Sequence, residues 1–67
     1  MKLKYLEAIM NEKKVSRNEL AKAIDMNYVT LSKRLSGKVD LKVNEVSKII
    51  QYLNLTDSEI RLCFFKS

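Results

Sequence analysis

Two short helical patterns, separated by a turn of about three residues, occupy the stretch from Ser16 to Lys38 and constrain the fold more than any other feature. The first pattern opens with Ser16 and has Glu19 three positions later, so each side chain can accept a hydrogen bond from the other's backbone N–H group. This capping box predicts a helix over about residues 17–24. Its inward face is predicted from residues at three- and four-residue spacing, which are Leu20, Ala21 and Ile24.

The second pattern predicts a helix over about residues 28–36. Asp25 stands where the chain must turn, and Asp tolerates a left-handed backbone better than most residues. Asn27 is a favoured N-cap, and Gly37 is placed to end the helix. The apolar Leu31 and Leu35 are four apart and face inward. The outer face of this helix therefore consists of Tyr28, Val29, Ser32 and Lys33.

The positive charge of the chain is concentrated around these two patterns. Eight lysines and arginines and three acids lie from Lys13 to Lys42, so this segment carries eight minus three, the whole net charge of +5. A generally lysine-rich surface does not predict such a concentration. Contact with a polyanion explains it better.

The rest of the chain predicts supporting helices. Apolar stripes run over about residues 2–12 and 43–53, and Thr56 with Glu59 forms a second capping box that opens a last short helix. The tail after Cys63 suits either a helix or a short extended segment. At 67 residues there is room for one domain, over residues 1–67. The predicted fold is all-α, a compact bundle of about five short helices.

Several classes of function are disfavoured by composition. The chain has no His, a single Cys63 in an apolar run and no Gly-rich phosphate loop, which argues against nucleophilic triads, common zinc sites and nucleotide-binding folds. We therefore expect no enzyme activity, metal or cofactor. One cysteine cannot form an internal disulfide, and neither a signal peptide nor a membrane-spanning run is present, so a cytoplasmic location is expected.

Three segments together resemble the Cro/CI-type (XRE-like) helix-turn-helix regulators of temperate phages and bacteria. They are ELAKAI at Glu19–Ile24, TLSKRLSGK at Thr30–Lys38 and LNLTDSEI at Leu53–Ile60. The resemblance covers nearly the whole chain and implies a lambda-repressor-like DNA-binding domain. It further implies a small phage or prophage repressor that binds a palindromic operator as a homodimer, with half-sites about 34 Å apart.

The same resemblance implies which residues read bases. The positions are Tyr28, Val29 and Lys33, with Asn27 and Ser32 as secondary contacts. Lys33 can donate to guanine O6 or N7 and Val29 can pack on a thymine methyl group, while Tyr28 can do either or place its hydroxyl on a phosphate. Each has a plainer alternative, in which Tyr28 touches only the DNA backbone, Val29 packs inward and Lys33 is a solvated charge.

Phosphate contacts are expected from polar and basic residues around this face, which are Arg17, Asn27, Arg34, Lys38 and Lys42. Arg17 stands at the amino end of the first helix of the pair, where free N–H groups favour phosphate. The chain departs from the family pattern with Arg17 in place of Gln, Asp25 in place of Gly and Arg34 in place of an apolar residue. The last departure suggests that Leu35 supplies the inward contact. The alternative for each single cation is an idle surface charge.

The C-terminal region offers the best candidates for a dimer contact. Four consecutive apolar side chains, more than one face of a short helix can bury, are Leu62, Cys63, Phe64 and Phe65. The alternative is that Phe64 or Phe65 closes the monomer core and that Cys63 is a small buried apolar residue.

Two further hypotheses stay open beside a Cro-like repressor. One is a protein-binding module, such as an antirepressor or antitoxin, whose groove contact would use Tyr28 and Val29. The other is the DNA-binding part of a longer repressor. The charges of Lys33, Arg34 and Lys38 beside the second helix favour DNA as the partner.

Overall fold

The computed structural model of the protein describes residues 3–65, without the side chain of Phe65. Its helices are α1 (Lys4–Glu12), α2 (Arg17–Ala23), α3 (Tyr28–Leu35), α4 (Val43–Leu53) and α5 (Asp57–Ile60), and the last continues as a π-helix over Arg61–Phe65. No strand lies among these residues. The predicted all-α bundle is confirmed. The tail, for which helix and extended segment were both open, is helical as far as it is described.

Local side-chain bonds mark where the helices begin. The Ser16 hydroxyl accepts a hydrogen bond from the Glu19 N–H group at 3.0 Å, and the Asn27 side chain accepts one from the Val29 N–H group at 2.8 Å. The Glu19 carboxylate does not complete a capping box with the Ser16 N–H group, and it accepts a hydrogen bond from the hydroxyl of Tyr52 on α4. The start of α2 is therefore fastened both by its own cap and by a neighbouring helix.

Left-handed residues mark where the first four helices end. The positive φ angles are 60° at Lys14, 56° at Asp25, 87° at Gly37 and 53° at Asn54. After each of them the next N–H group bonds to the carbonyl five residues back, as at Met26 to Ala21 (2.8 Å). This is the Schellman pattern, which satisfies carbonyl groups at a helix end. Only one of the four sites has glycine, so the other three accept the left-handed backbone with a side chain attached.

One apolar core is shared by the helices. Its most deeply buried members include one leucine or isoleucine from each of α1 to α4, which are Leu6, Leu20, Leu31 and Ile49. Ala21 is also buried, and α2 packs against α3. A small side chain on the inward face of a helix allows a neighbouring helix to approach closely. Within residues 3–65, none of the helices combines the length and apolar character that crossing a membrane demands.

The end of the chain completes this core and corrects the predicted dimer contact. Arg61–Phe65 packs against α1, which leaves Cys63 only 4% exposed and Phe64 only 8%. These two side chains are therefore buried in the core of the monomer and are not available for a dimer contact, while Leu62 stays 41% exposed. The side chain of Phe65 lies outside the described residues.

Candidate nucleic-acid interface

A shallow depression lies beside the outer face of α3 and collects most of the predicted contact residues. It measures about 310 Å³, and its walls are formed by Arg17, Val29, Ser32, Lys33, Ser36 and Lys38. Arg17 comes from the first position of α2, and Lys38 follows the end of α3. Three cations from three segments of the backbone thus surround one concave surface, although they are separated by up to 21 positions in sequence.

The first turn of α3 turns its apolar side chains to solvent. Tyr28 is 44% exposed and Val29 is 58% exposed, because the inward side of this helix is filled by the buried Leu31 and Leu35. The alternative in which Val29 packs inward is therefore excluded. Asn27 is exposed too, but its side-chain oxygen is used to cap α3, which leaves its amide nitrogen as the donor toward a ligand.

Lys33 and Ser32 stand side by side on α3 but differ in accessibility. Lys33 is exposed and lines the depression, so its ammonium group is available to an acceptor. The Ser32 oxygen is buried and has no hydrogen-bond partner within the described residues. A buried hydroxyl without a partner costs about 1–3 kcal/mol. Ser32 therefore forms part of the wall of the depression rather than of its accessible rim.

Arg34, predicted as a phosphate contact, is engaged inside the bundle instead. Its guanidinium donates to both oxygens of Glu45 on α4, with Nε to Oε1 at 2.9 Å and an Nη atom to Oε2 at 3.3 Å. The two side chains are only 13% and 15% exposed. This ion pair joins α3 to α4, which explains a charged residue at a position where the resembling family often has an apolar one.

The environment of Glu45 strengthens this ion pair. Burial by itself raises the pKa of the Glu45 carboxyl, but the hydrogen bonds from Arg34 and from the Lys42 N–H group, together with the Arg34 charge, hold that pKa below its ordinary value. The bond from Lys42 measures 2.8 Å and also fastens the start of α4. Lys42 itself is exposed but does not line the depression.

Arg17 has a carboxylate partner on α1. Its guanidinium donates to Glu7 in an ion pair whose side chains are 42% and 35% exposed. The hydrogen bond to Glu7 raises the pKa of Arg17 against a small opposing effect of burial, and Tyr28 contributes to the same rise. Sequence reasoning missed Glu7, because a contact between two helices ten positions apart leaves no periodic signal.

Metal-ligating and nucleophilic side chains are the remaining groups to place relative to this surface. No cluster of three or more His, Cys, Asp or Glu side chains suited to a metal ion lies among residues 3–65. Cys63 is buried in the core and does not line the depression, and burial raises the pKa of its thiol, which disfavours the reactive thiolate. The arrangement beside α3 is a concave surface lined by three cations, Arg17, Lys33 and Lys38.

Comparison with known proteins gives this chain a family but no activity. No curated protein and no solved structure matches it. A family model does match, and it spans residues 2–67. The chain therefore belongs to the family described as Protein of unknown function (DUF739).

Proposed function

We propose that this protein is a sequence-specific regulator of transcription that binds double-stranded DNA, with α2 and α3 as its helix-turn-helix. The observation that carries the proposal is the convergence of Arg17, Lys33 and Lys38 on one depression beside the solvent-facing side of α3. A polyanion matches three cations on a concave surface. The sequence resemblance implies that this regulator is a small Cro-like repressor that acts in a bacterial cytoplasm.

Helix α3 is the element that fits the major groove, which is about 12 Å wide and admits one α-helix. Its exposed first turn and Lys33 are directed to solvent, so they can reach base edges when the helix docks by its N-terminal end. Tyr28 and Val29 offer apolar contact for thymine methyl groups, and Lys33 offers a donor for guanine. These three residues are the proposed sequence readers.

Phosphate contacts complete the proposed complex. Arg17 and Lys38 flank α3 within the depression, and Lys42 lies further along the same connection to α4. They fix the protein on the duplex without reading its sequence. Arg34 is left out of this set, because releasing it would break a largely buried ion pair.

Binding as a homodimer is part of the proposal, since one short helix reads too few base pairs for a specific site. With Cys63 and Phe64 occupied in the core, the exposed Leu62 is the described residue through which the chain end can contact a second copy. A two-fold operator then has half-sites about one helical turn apart.

A protein-binding module is the second candidate, and one observation favours it. Tyr28 and Val29 form an exposed apolar pair at the start of α3, and such a pair also suits a groove on another protein. The cations around it distinguish the candidates, because an apolar groove has no need of Arg17, Lys33 and Lys38.

Selection from random duplex DNA tests both candidates at once. The proposed regulator enriches a two-fold sequence, and its affinity for that sequence falls steeply with salt because phosphate contacts release counterions. Replacing a cation of the depression, as in Lys38→Ala, should weaken this binding. The matched control is Lys48→Ala, since Lys48 is an exposed cation on α4 that does not line the depression. Failure to enrich any sequence, with binding that is weak and insensitive to salt, would favour a protein partner.

A further inference from the structure

Arg17 lies between two depressions and contributes to the wall of each. One is the depression beside α3, and the other, of about 260 Å³, is formed on the α1 side by Glu7, Met10, Asn11, Val15 and Ser16 together with Arg17. The Glu7 carboxylate holds the guanidinium from that second side. The proposed phosphate contact is therefore already paired with an anion when no DNA is bound.

A carboxylate and a phosphate bind an arginine guanidinium in the same way. Both accept hydrogen bonds from the planar N–H fork, and both satisfy its positive charge. A phosphate that approaches Arg17 also meets the negative charge of Glu7, which repels it. The existing pair is easily exchanged, because ion pairs at this level of exposure contribute little to stability.

We propose that Glu7 occupies, in the free protein, the place on Arg17 that a DNA phosphate takes in the complex. This inference rests on the proposed function. Glu7 thereby competes with DNA for Arg17 and lowers the affinity for DNA. It does so from α1, which is outside the helix pair that reads the sequence. Because phosphates carry no sequence information, the competition changes affinity for all duplexes equally and leaves the choice among them unaltered.

The test compares Glu7→Gln with Glu12→Gln by fluorescence anisotropy on the selected operator and on an unrelated duplex. Glu12 is an exposed carboxylate at the end of the same helix, so its replacement makes the same change in net charge away from Arg17. We expect Glu7→Gln to bind both duplexes about threefold more tightly than Glu12→Gln does. For each variant, the ratio of its affinity for the operator to its affinity for the unrelated duplex should equal that of the unmodified protein. Thermal unfolding verifies that both variants are folded.

A second pair of variants makes the inference specific to Arg17. In the background of Arg17→Ala, replacing Glu7 should give no gain over replacing Glu12, because the guanidinium for which anions compete is gone. Equal binding by Glu7→Gln and Glu12→Gln would overturn the inference, and so would weaker binding by Glu7→Gln, which would make Glu7 a support for Arg17. Absence of duplex binding by the unmodified protein would instead overturn the proposed function, and the inference with it.

Discussion

The first turn of α3 and the end of the chain both carry adjacent apolar side chains, yet only one of them faces solvent. Tyr28 and Val29 are exposed, whereas Cys63 and Phe64 are among the buried residues of the core. The difference lies in what each segment packs against. The inner side of α3 already supplies Leu31 and Leu35 to the core, while Arg61–Phe65 folds back on α1 and closes it. In this protein an adjacent apolar pair therefore stays exposed where other residues of its own helix already fill the core.

The largest expected effect is on stability, and it separates the two regions. Phe64→Ala should lower the free energy of unfolding by about 3–4 kcal/mol, because it leaves a cavity in the core. Val29→Ala should change it by less than about 0.5 kcal/mol, since the side chain is mostly in solvent. Urea denaturation followed by circular dichroism measures both. Similar losses for the two variants would break the comparison.

The next effect concerns the ion pair that fastens α3 to α4. Glu45→Gln should cost about 2 kcal/mol, because Arg34 loses a charged partner in a largely buried place. The pKa of Glu45 is lower in the folded protein than its ordinary value of 4.5, so its contribution is present above that pH and is lost as the pH falls through the folded pKa.

Unfolding of the unmodified protein and of Glu45→Gln at a series of acid pH values measures the contribution of the Glu45 carboxylate to stability. The stability difference between the unmodified protein and Glu45→Gln should shrink as the pH falls below about 4.5. Asp57→Asn, at an exposed carboxylate in the first turn of α5, serves as the control. A difference that stays constant down to pH 3 would show that the ion pair is not what holds α3 against α4.

A smaller effect, of about 1.5 kcal/mol, is expected in DNA binding at the exposed region. Lys33→Ala should lose this much at one base position and relax specificity there. Lys38→Ala should instead weaken binding to all sequences and reduce the slope of log K against log salt by about 0.9. Anisotropy titrations on the operator and its single-base variants distinguish them. Identical specificity profiles would place Lys33 among the phosphate contacts.

A loss of stability smaller than that of Phe64→Ala is expected at the residue beside the buried chain end. Leu62→Ser should lower the free energy of unfolding by about 1 kcal/mol, because Leu62 keeps 41% of its surface exposed and buries only the rest. The same change should shift a homodimer toward monomer in sedimentation at micromolar concentration. An unchanged dimer would place the interface elsewhere on the surface and leave the chain end with a role in the core alone.

Much of the fold and part of the candidate site could be predicted from sequence because the signals are local. The caps at Ser16 and Asn27 and the left-handed turns at Asp25 and Gly37 each depend on residues within one helical turn. The outward direction of Val29 and Lys33 follows from the spacing of the leucines behind them. The pairing of Arg34 with Glu45 and of Arg17 with Glu7 could not be predicted in this way, since each partner lies on another helix.

The sequence by itself determined where α2 and α3 begin and end, to within one residue, and where the positive charge is concentrated. Those properties depend on near neighbours and on composition, which the linear order of residues already contains. The tertiary structure alone decided which arginine is engaged inside the bundle, which is shared between a carboxylate and the depression beside α3, and which apolar pair is buried. Such choices depend on the packing of helices, and packing brings together side chains that the sequence keeps ten or more positions apart.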